Sequence, residues 1–197
     1  MRVARDCYIR SEHSIDDLYW QIIVLLARLH APSGAVIGGE KALEIRMKNY
    51  SIPNLLILYT RSTQARITLV DGRKIHFRTL QSGEKSGRKN LFTRLIDAGE
   101  PLDNSPLLIL PTKELALLEF LSLREHEVGI QESTLLAFLD REHTRMDGDV
   151  LNFWVQYRYI RAMNRLRVVA RDQGYDALYQ KTLRAIKEQG GGCFLDI

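Results

Sequence analysis

The residues of this chain whose types and spacing suit chemistry are basic. Arg73, Lys74, Arg78, Lys85, Arg88 and Lys89 fall in a hairpin and the loop after it, and Arg158, Arg161 and Arg165 recur along one long helical stretch. Guanidinium and ammonium groups gathered on a surface pair with phosphate or carboxylate, Arg through a planar bidentate fork, and phosphate binding of this kind weakens steeply with salt. The first group is therefore a candidate nucleic-acid surface and the second a candidate protein-partner surface. Solvated faces that bind nothing in particular are the plain alternative for both.

Catalytic templates are missing. The sequence holds no phosphate-cradling GxxxxGK[ST], no GxGxxG, no GxSxG elbow, no HExxH and no EF-hand loop. His126 and His143 sit in the strings REHE and REHT, but neither belongs to a pair of histidines at i and i+4 on one helix face. Cys7 and Cys193 stand near opposite ends without CxxC spacing, which argues against a disulfide scaffold or a zinc knuckle and for a reducing compartment. Gly38-Gly39-Glu40 opens a helix and resembles an anion nest, yet no lysine or serine occupies the phosphate-binding positions, so a turn needing backbone freedom is the preferred reading. The expectation is a protein that is not an enzyme and carries neither metal nor cofactor.

Charge is unevenly distributed. The 197 residues carry a net +4, but successive quarters (1–50, 51–100, 101–150, 151–197) sum to +1, +5, −6 and +4. A basic middle, an acidic third quarter and a basic end suit an acidic partner without choosing between nucleic acid and protein. No apolar stretch opens the chain, and the longest, residues 19–29, is far short of the ~20 residues a membrane span needs, so a cytoplasmic protein is expected.

The elements that must position these residues follow from periodicity. Ser14 and Asp17 cap a helix over residues 15–30, on which Leu18, Ile22, Leu25, Leu26 and Leu29 are expected to face inward. Residues 35–37 read as a short strand or turn and 40–48 as a second helix. Strands are predicted at 55–60, 65–70 and 74–80, with Asp71-Gly72 as the hairpin turn; Ile75 and Phe77 then share one face, and Lys74, His76 and Arg78 the other. Residues 81–90 read as an exposed loop, 91–98 as a helix, GEPLDNSP as a turn-rich connection and 107–110 as a buried strand. Helices at 113–123, 131–141, 149–172 and 176–189 complete the chain. Leu151, Trp154, Val155, Tyr159, Ala162, Leu166 and Val169 form the inward stripe of the longest. The order predicts an α+β fold in which a small, mostly antiparallel sheet from the middle of the chain packs with N-terminal helices and a C-terminal helical bundle. Residues 1–125 are expected to form the α+β core and 126–197 the helical region.

Read as a string, the chain resembles the antitoxins of type IV abortive-infection toxin–antitoxin systems, the AbiEi family. The resemblance runs from Leu29-His30-Ala31-Pro32-Ser33-Gly34-Ala35-Val36-Ile37-Gly38-Gly39 to Ala42-Leu43-Glu44. It continues through Ile52-Pro53 before LLILYT, then Ile75-His76-Phe77-Arg78, LPTKELALLEFL and Val169-Ala170 with Gln173-Gly174-Tyr175, spanning about residues 25 to 185. It implies a cognate, nucleotidyltransferase-like toxin held inactive by this protein. Family members usually begin with a winged helix-turn-helix that binds their own promoter, whereas 13 residues precede the first predicted helix and its cap here. The alternatives are a nucleic-acid-binding transcriptional regulator and an adaptor or structural subunit of a larger mobile-element or defence complex.

Overall fold

The structure, a computed structural model, describes residues 2–4, 7–8, 14–79, 91–103, 105–122 and 132–190. The predicted loop at 81–90, with Lys85, Arg88 and Lys89, lies outside them, as do Asn90, His126 and Cys193. The chain divides into two units, residues 1–42 with 49–112, and 43–48 with 113–197. The first carries the strands, and among the described residues the second holds helices and no strand. The division falls after Thr112 instead of near residue 125, because helix Lys113–Ser122 packs with the C-terminal helices.

The first unit is built on one sheet. Its strands are β1 (Arg2–Ala4) and β2 (Cys7–Tyr8), which pair only with each other, then β3 (Ala35–Ile37), β4 (Leu55–Thr60), β5 (Ala65–Thr68), β6 (Lys74–Thr79), β7 (Glu100–Leu102) and β8 (Ser105–Leu110). The main sheet has the order β5-β6-β4-β3-β8-β7, in which β3–β8 and β4–β6 are parallel and the other three pairings antiparallel. This is the expected α+β class with a mostly antiparallel sheet.

Helix α1 (Ile15–His30) starts with a capping box: Ser14 Oγ accepts from the Asp17 amide at 3.2 Å while Asp17 Oδ2 accepts from the Ser14 amide at 3.2 Å. It buries Ile15, Tyr19, Ile22, Ile23, Leu26 and Ala27. The predicted inward stripe is thus partly corrected, since Leu25 and Leu29 are exposed and Leu18 is half-buried. The buried arc is centred on Tyr19 and Leu26, and the leucine row lies along its flank. The ring of His30 meets Phe77, which places α1 on the sheet face that carries Ile75, Phe77, Leu56, Leu58 and Leu108, all buried.

Helix α2 (Gly39–Arg46) follows β3. Here the two glycines answer local needs: a Cβ on Gly38 would stand 2.2 Å from the Tyr59 ring, and Gly39 has φ +64°. Helix α3 (Leu91–Ala98) covers part of the other sheet face, where Gly99 at its end lies so close to Ile109 that a Cβ would come within 2.2 Å of the side chain. The turn-rich connection after it proves to be the β7–β8 hairpin, with Asp103 at φ +48°. Pro101 is tolerated there because β7 is an edge strand.

The second unit contains α4 (Lys113–Ser122), α5 (Glu132–Glu142), a 3₁₀ turn at His143–Arg145, α6 (Gly148–Trp154), α7 (Ile160–Asp172) and α8 (Asp176–Glu188). The predicted helix at 149–172 runs through, but Val155–Tyr159 is wound as a π-helix between α6 and α7. One wide turn rotates the residues after it, and the stripe changes accordingly: Leu151, Trp154, Val155, Tyr159, Ala162 and Leu166 are buried, while Val169 is half-buried and Met163 and Ala170 are buried beside them. Within this core the Tyr159 hydroxyl hydrogen-bonds the buried Glu119 carboxylate, and the Asp147 amide donates to Glu114 Oε1 at 3.1 Å. Each buried carboxylate therefore has a donor.

Candidate functional site

The site is assembled by strand alternation. Side chains two residues apart on a strand point to the same side, and β6 sends Ile75 and Phe77 into the core beneath α1 while Lys74, His76 and Arg78 emerge on the opposite face. On the edge strand β5, Arg66 is the Cα partner of His76 and Thr68 that of Lys74. Partners across a ladder share a face, so Arg66 joins Lys74, His76 and Arg78. Lys74 and Arg66 are exposed, and His76 and Arg78 half-buried. On the far side of β6, Leu55, Ile57 and Tyr59 of β4 are the Cα partners of the same three residues, and the buried Ile57 and Tyr59 mark where this face passes into the core.

His76 registers the field of this patch. Burial lowers its basicity below the usual imidazole value, and Arg66, Arg78 and Lys74 lower it further because a fourth positive charge among them is unfavourable. Its Nδ1 is buried and has no hydrogen-bond partner among the described residues. A bound anion would reverse both conditions, by offsetting the three cations and by offering an acceptor to the protonated ring.

Arg73 does not belong to this face, which corrects the predicted cluster. Alternation puts it on the α1 side, where its guanidinium pairs with Asp16 and with Asp71, the latter at 3.4 Å, and lies 5.8 Å from the centre of the Tyr19 ring. The hydrogen bond to Asp16 raises its pKa further, and burial pushes the Tyr19 hydroxyl well above its ordinary value. Arg73 ties the hairpin to α1. Arg66, by contrast, is absent from the predicted set, although its position opposite His76 follows from the register of the Asp71-Gly72 hairpin.

The arginine series of the second unit is only partly brought together. Arg161 is exposed, one turn before Arg165, but Arg165 Nη1 donates to the Leu121 carbonyl at 2.6 Å, serving the C-terminal turn of α4. The side chain of Arg158 lies outside the described residues.

In a groove of about 450 Å³ between α6 and α8, Asn152 Nδ2 donates to Glu188 Oε2 at 2.6 Å, and the lining Lys181 donates through Nζ to the Met146 carbonyl at 2.6 Å. Among the described residues no three His, Cys, Asp or Glu side chains group to hold a metal ion, and no helix is long and apolar enough to cross a membrane. His143 is engaged locally, its Nδ1 2.8 Å from the Leu139 carbonyl and its ring stacked 4.3 Å from that of Tyr175. No protein-family profile, curated protein or solved structure matches the chain.

Proposed function

We propose that this protein acts by binding instead of catalysis, as an AbiEi-like antitoxin that engages and neutralises a cognate nucleotidyltransferase-like toxin. The observation that carries the reading is the face formed by Arg66, Lys74, His76 and Arg78, four basic side chains on one side of β5 and β6. Such a face complements an acidic protein surface, and nucleotidyl transfer with magnesium demands carboxylates that hold the ion. The ordered sequence resemblance supplies the class of partner.

The test is co-expression with the product of the adjacent gene, followed by growth rescue and co-purification. The reading expects a toxic neighbour, rescue by this chain, and loss of rescue with Arg66→Glu plus Lys74→Glu in a protein that remains folded. A harmless neighbour that forms no complex, or a toxic one left unrescued, overturns it.

The same face favours a second reading, in which the acidic partner is a nucleic-acid backbone. In that case binding to duplex DNA or RNA falls steeply as salt rises, and each neutralised cation flattens the slope by roughly one unit. Binding that is absent at low salt removes this reading.

A further inference from the structure

The six-stranded sheet ends at β5, whose outer side pairs with no strand among the described residues. Which of its backbone groups face outward follows from the hairpin. The Leu69 amide donates to the Arg73 carbonyl at 2.8 Å, so Leu69 and Arg73 are the hydrogen-bonded pair nearest the turn. Hydrogen-bonded and non-hydrogen-bonded pairs alternate along an antiparallel ladder, which makes Thr68 opposite Lys74 and Arg66 opposite His76 non-hydrogen-bonded pairs. The Lys74 amide agrees, since it turns away from β5 and donates to the Asn54 carbonyl at 2.8 Å. The amides and carbonyls of Arg66 and Thr68 therefore point out from the edge of the sheet. The next outward amide, that of Val70, already donates to the Val3 carbonyl of β1 at 3.1 Å. Extended backbone thus seats at one end of this edge and leaves the rest of it open.

The side chains specify what fits there. A strand added to β5 sends alternate residues to the two sides of the sheet. On one side they stand beside Arg66 and Thr68, both exposed, with Lys74 one strand further in. Neither Arg66 nor Lys74 has an ion-pair partner among the described residues, so carboxylates are the complement. On the other side they stand beside Ala65 and Ile67, half-buried at the rim of the core that holds Ile75 and Phe77, and apolar side chains extend that cover. A second copy of this chain fails the charge requirement, because its own β5 would set another Arg66 against this one. A nucleic-acid backbone fails the hydrogen-bond requirement, because a phosphate accepts from the outward amides and offers nothing to the outward carbonyls.

We infer that the acidic partner docks by strand addition: an extended protein segment of alternating acidic and apolar residues pairs with the backbone of Arg66 and Thr68 on the outer edge of β5, its carboxylates toward Arg66 and Lys74. This rests on the reading of the basic face as a site for an acidic protein, and it adds how the partner is held. Main-chain bonds fix the segment to the edge, and the alternation of its side chains fixes its register.

The probe is a short synthetic peptide of alternating glutamate and valine, acetylated and amidated at its ends, titrated into the full chain at low salt. Thr68→Pro deletes an outward amide and no bond of the β5–β6 ladder, so the sheet is expected to form, as circular dichroism verifies. The expected result is saturable binding that slows hydrogen exchange at the Arg66 and Thr68 amides. Binding is expected to weaken at least tenfold in Thr68→Pro and at least tenfold in Arg66→Glu plus Lys74→Glu. The same peptide N-methylated at every residue keeps its carboxylates and loses its backbone donors, and it is expected to bind the unaltered protein at least tenfold more weakly. Binding that N-methylation, or Thr68→Pro in a folded protein, leaves unchanged overturns strand addition; if the double glutamate variant is still defective, the basic face stands as a surface that acts by charge alone. Binding indifferent to the double glutamate variant overturns the choice of an acidic segment. No binding of the peptide overturns the inference, and duplex DNA bound equally by the unaltered protein and Thr68→Pro then gives the face to nucleic acid. The antitoxin reading is judged apart from this, by growth rescue.

Discussion

Arg66 on β5 and His76 on β6 are partners across an antiparallel ladder, so a permanent cation stands directly opposite an imidazole. Burial first, and then Arg66 with Arg78 and Lys74 two residues away on either side, lower the basicity of that imidazole below its usual value.

The pH dependence follows from the sign of the shift. An unfolded histidine titrates near 6.5, and His76 in the fold titrates lower, through burial first and its cationic neighbours second. Below pH 6.5 the unfolded chain therefore binds a proton that the folded chain refuses. Stability from this group is intact above that pH, is lost as pH falls toward the folded midpoint, and levels off beneath it. An NMR titration of the His76 ring is expected to give a midpoint below 6.5 that moves upward in Arg66→Gln and on addition of a bound polyanion. A midpoint unaffected by Arg66→Gln would show that the two groups do not share a field.

Adjacent residues on the hairpin are expected to behave oppositely. Arg73→Ala removes the pairs with Asp16 and Asp71 and the contact with Tyr19, and is expected to cost about 1 kcal/mol in denaturant unfolding while partner binding is retained. Lys74→Glu, on the exposed side, is expected to leave stability within about 0.5 kcal/mol and to abolish binding. Equal loss of binding in both variants would mean that the face has been assigned to the wrong side of the strand.

Close packing at Gly38 gives a structural prediction independent of charge. An added Cβ would lie 2.2 Å from Tyr59 Cε2, and the Tyr59 side chain is itself buried. Gly38→Ala is expected to destabilise the protein by about 1–3 kcal/mol, the usual cost of overpacking. Combining it with Tyr59→Leu, which removes the ring from that space, is expected to recover part of the loss in thermal melts. An unchanged melting temperature in Gly38→Ala would contradict the approach of β3 and β4 seen here.

Much of this architecture is legible from local signals, because capping and alternation act over a few residues. Ser14 with Asp17 marks the start of α1, and the alternation of residues 74–79 separates the two faces of β6 correctly. What escapes is set by longer-range geometry. The β7 strand is masked by Pro101 and the turn residues around it, since edge pairing tolerates residues that a propensity reading rejects. Arg73 and Lys74 read as one cluster when adjacency is considered, although adjacency in a strand means opposite faces. Leu25 and Leu29 match the helical period as well as Leu26 does, so hydrophobicity alone cannot tell the covered flank from the open one. The π-turn at Val155–Tyr159 has no sequence signal of this kind, because it reflects how Tyr159 and its neighbours fit the core formed with α4.

The last case is Arg165, where a basic residue of the C-terminal series proves to serve the fold. Its Nη1 lies 2.6 Å from the Leu121 carbonyl, in the last turn of α4, whose final carbonyls have no partners within the helix. A guanidinium there supplies both a donor and a charge that opposes the negative end of the helix dipole. Arg165→Met keeps most of the aliphatic stem and removes the donor, and hydrogen bonds to charged groups are worth about 1.5–3 kcal/mol. Partial exposure lets water replace some of that, so a loss of about 1 kcal/mol is expected. Arg161→Met, one turn earlier on the same exposed side, is expected to change stability by less than about 0.5 kcal/mol. Urea unfolding of the two variants side by side is the measurement. If they prove equally stable while Arg165→Met weakens partner binding, Arg165 belongs to an interface and its bond to Leu121 contributes little.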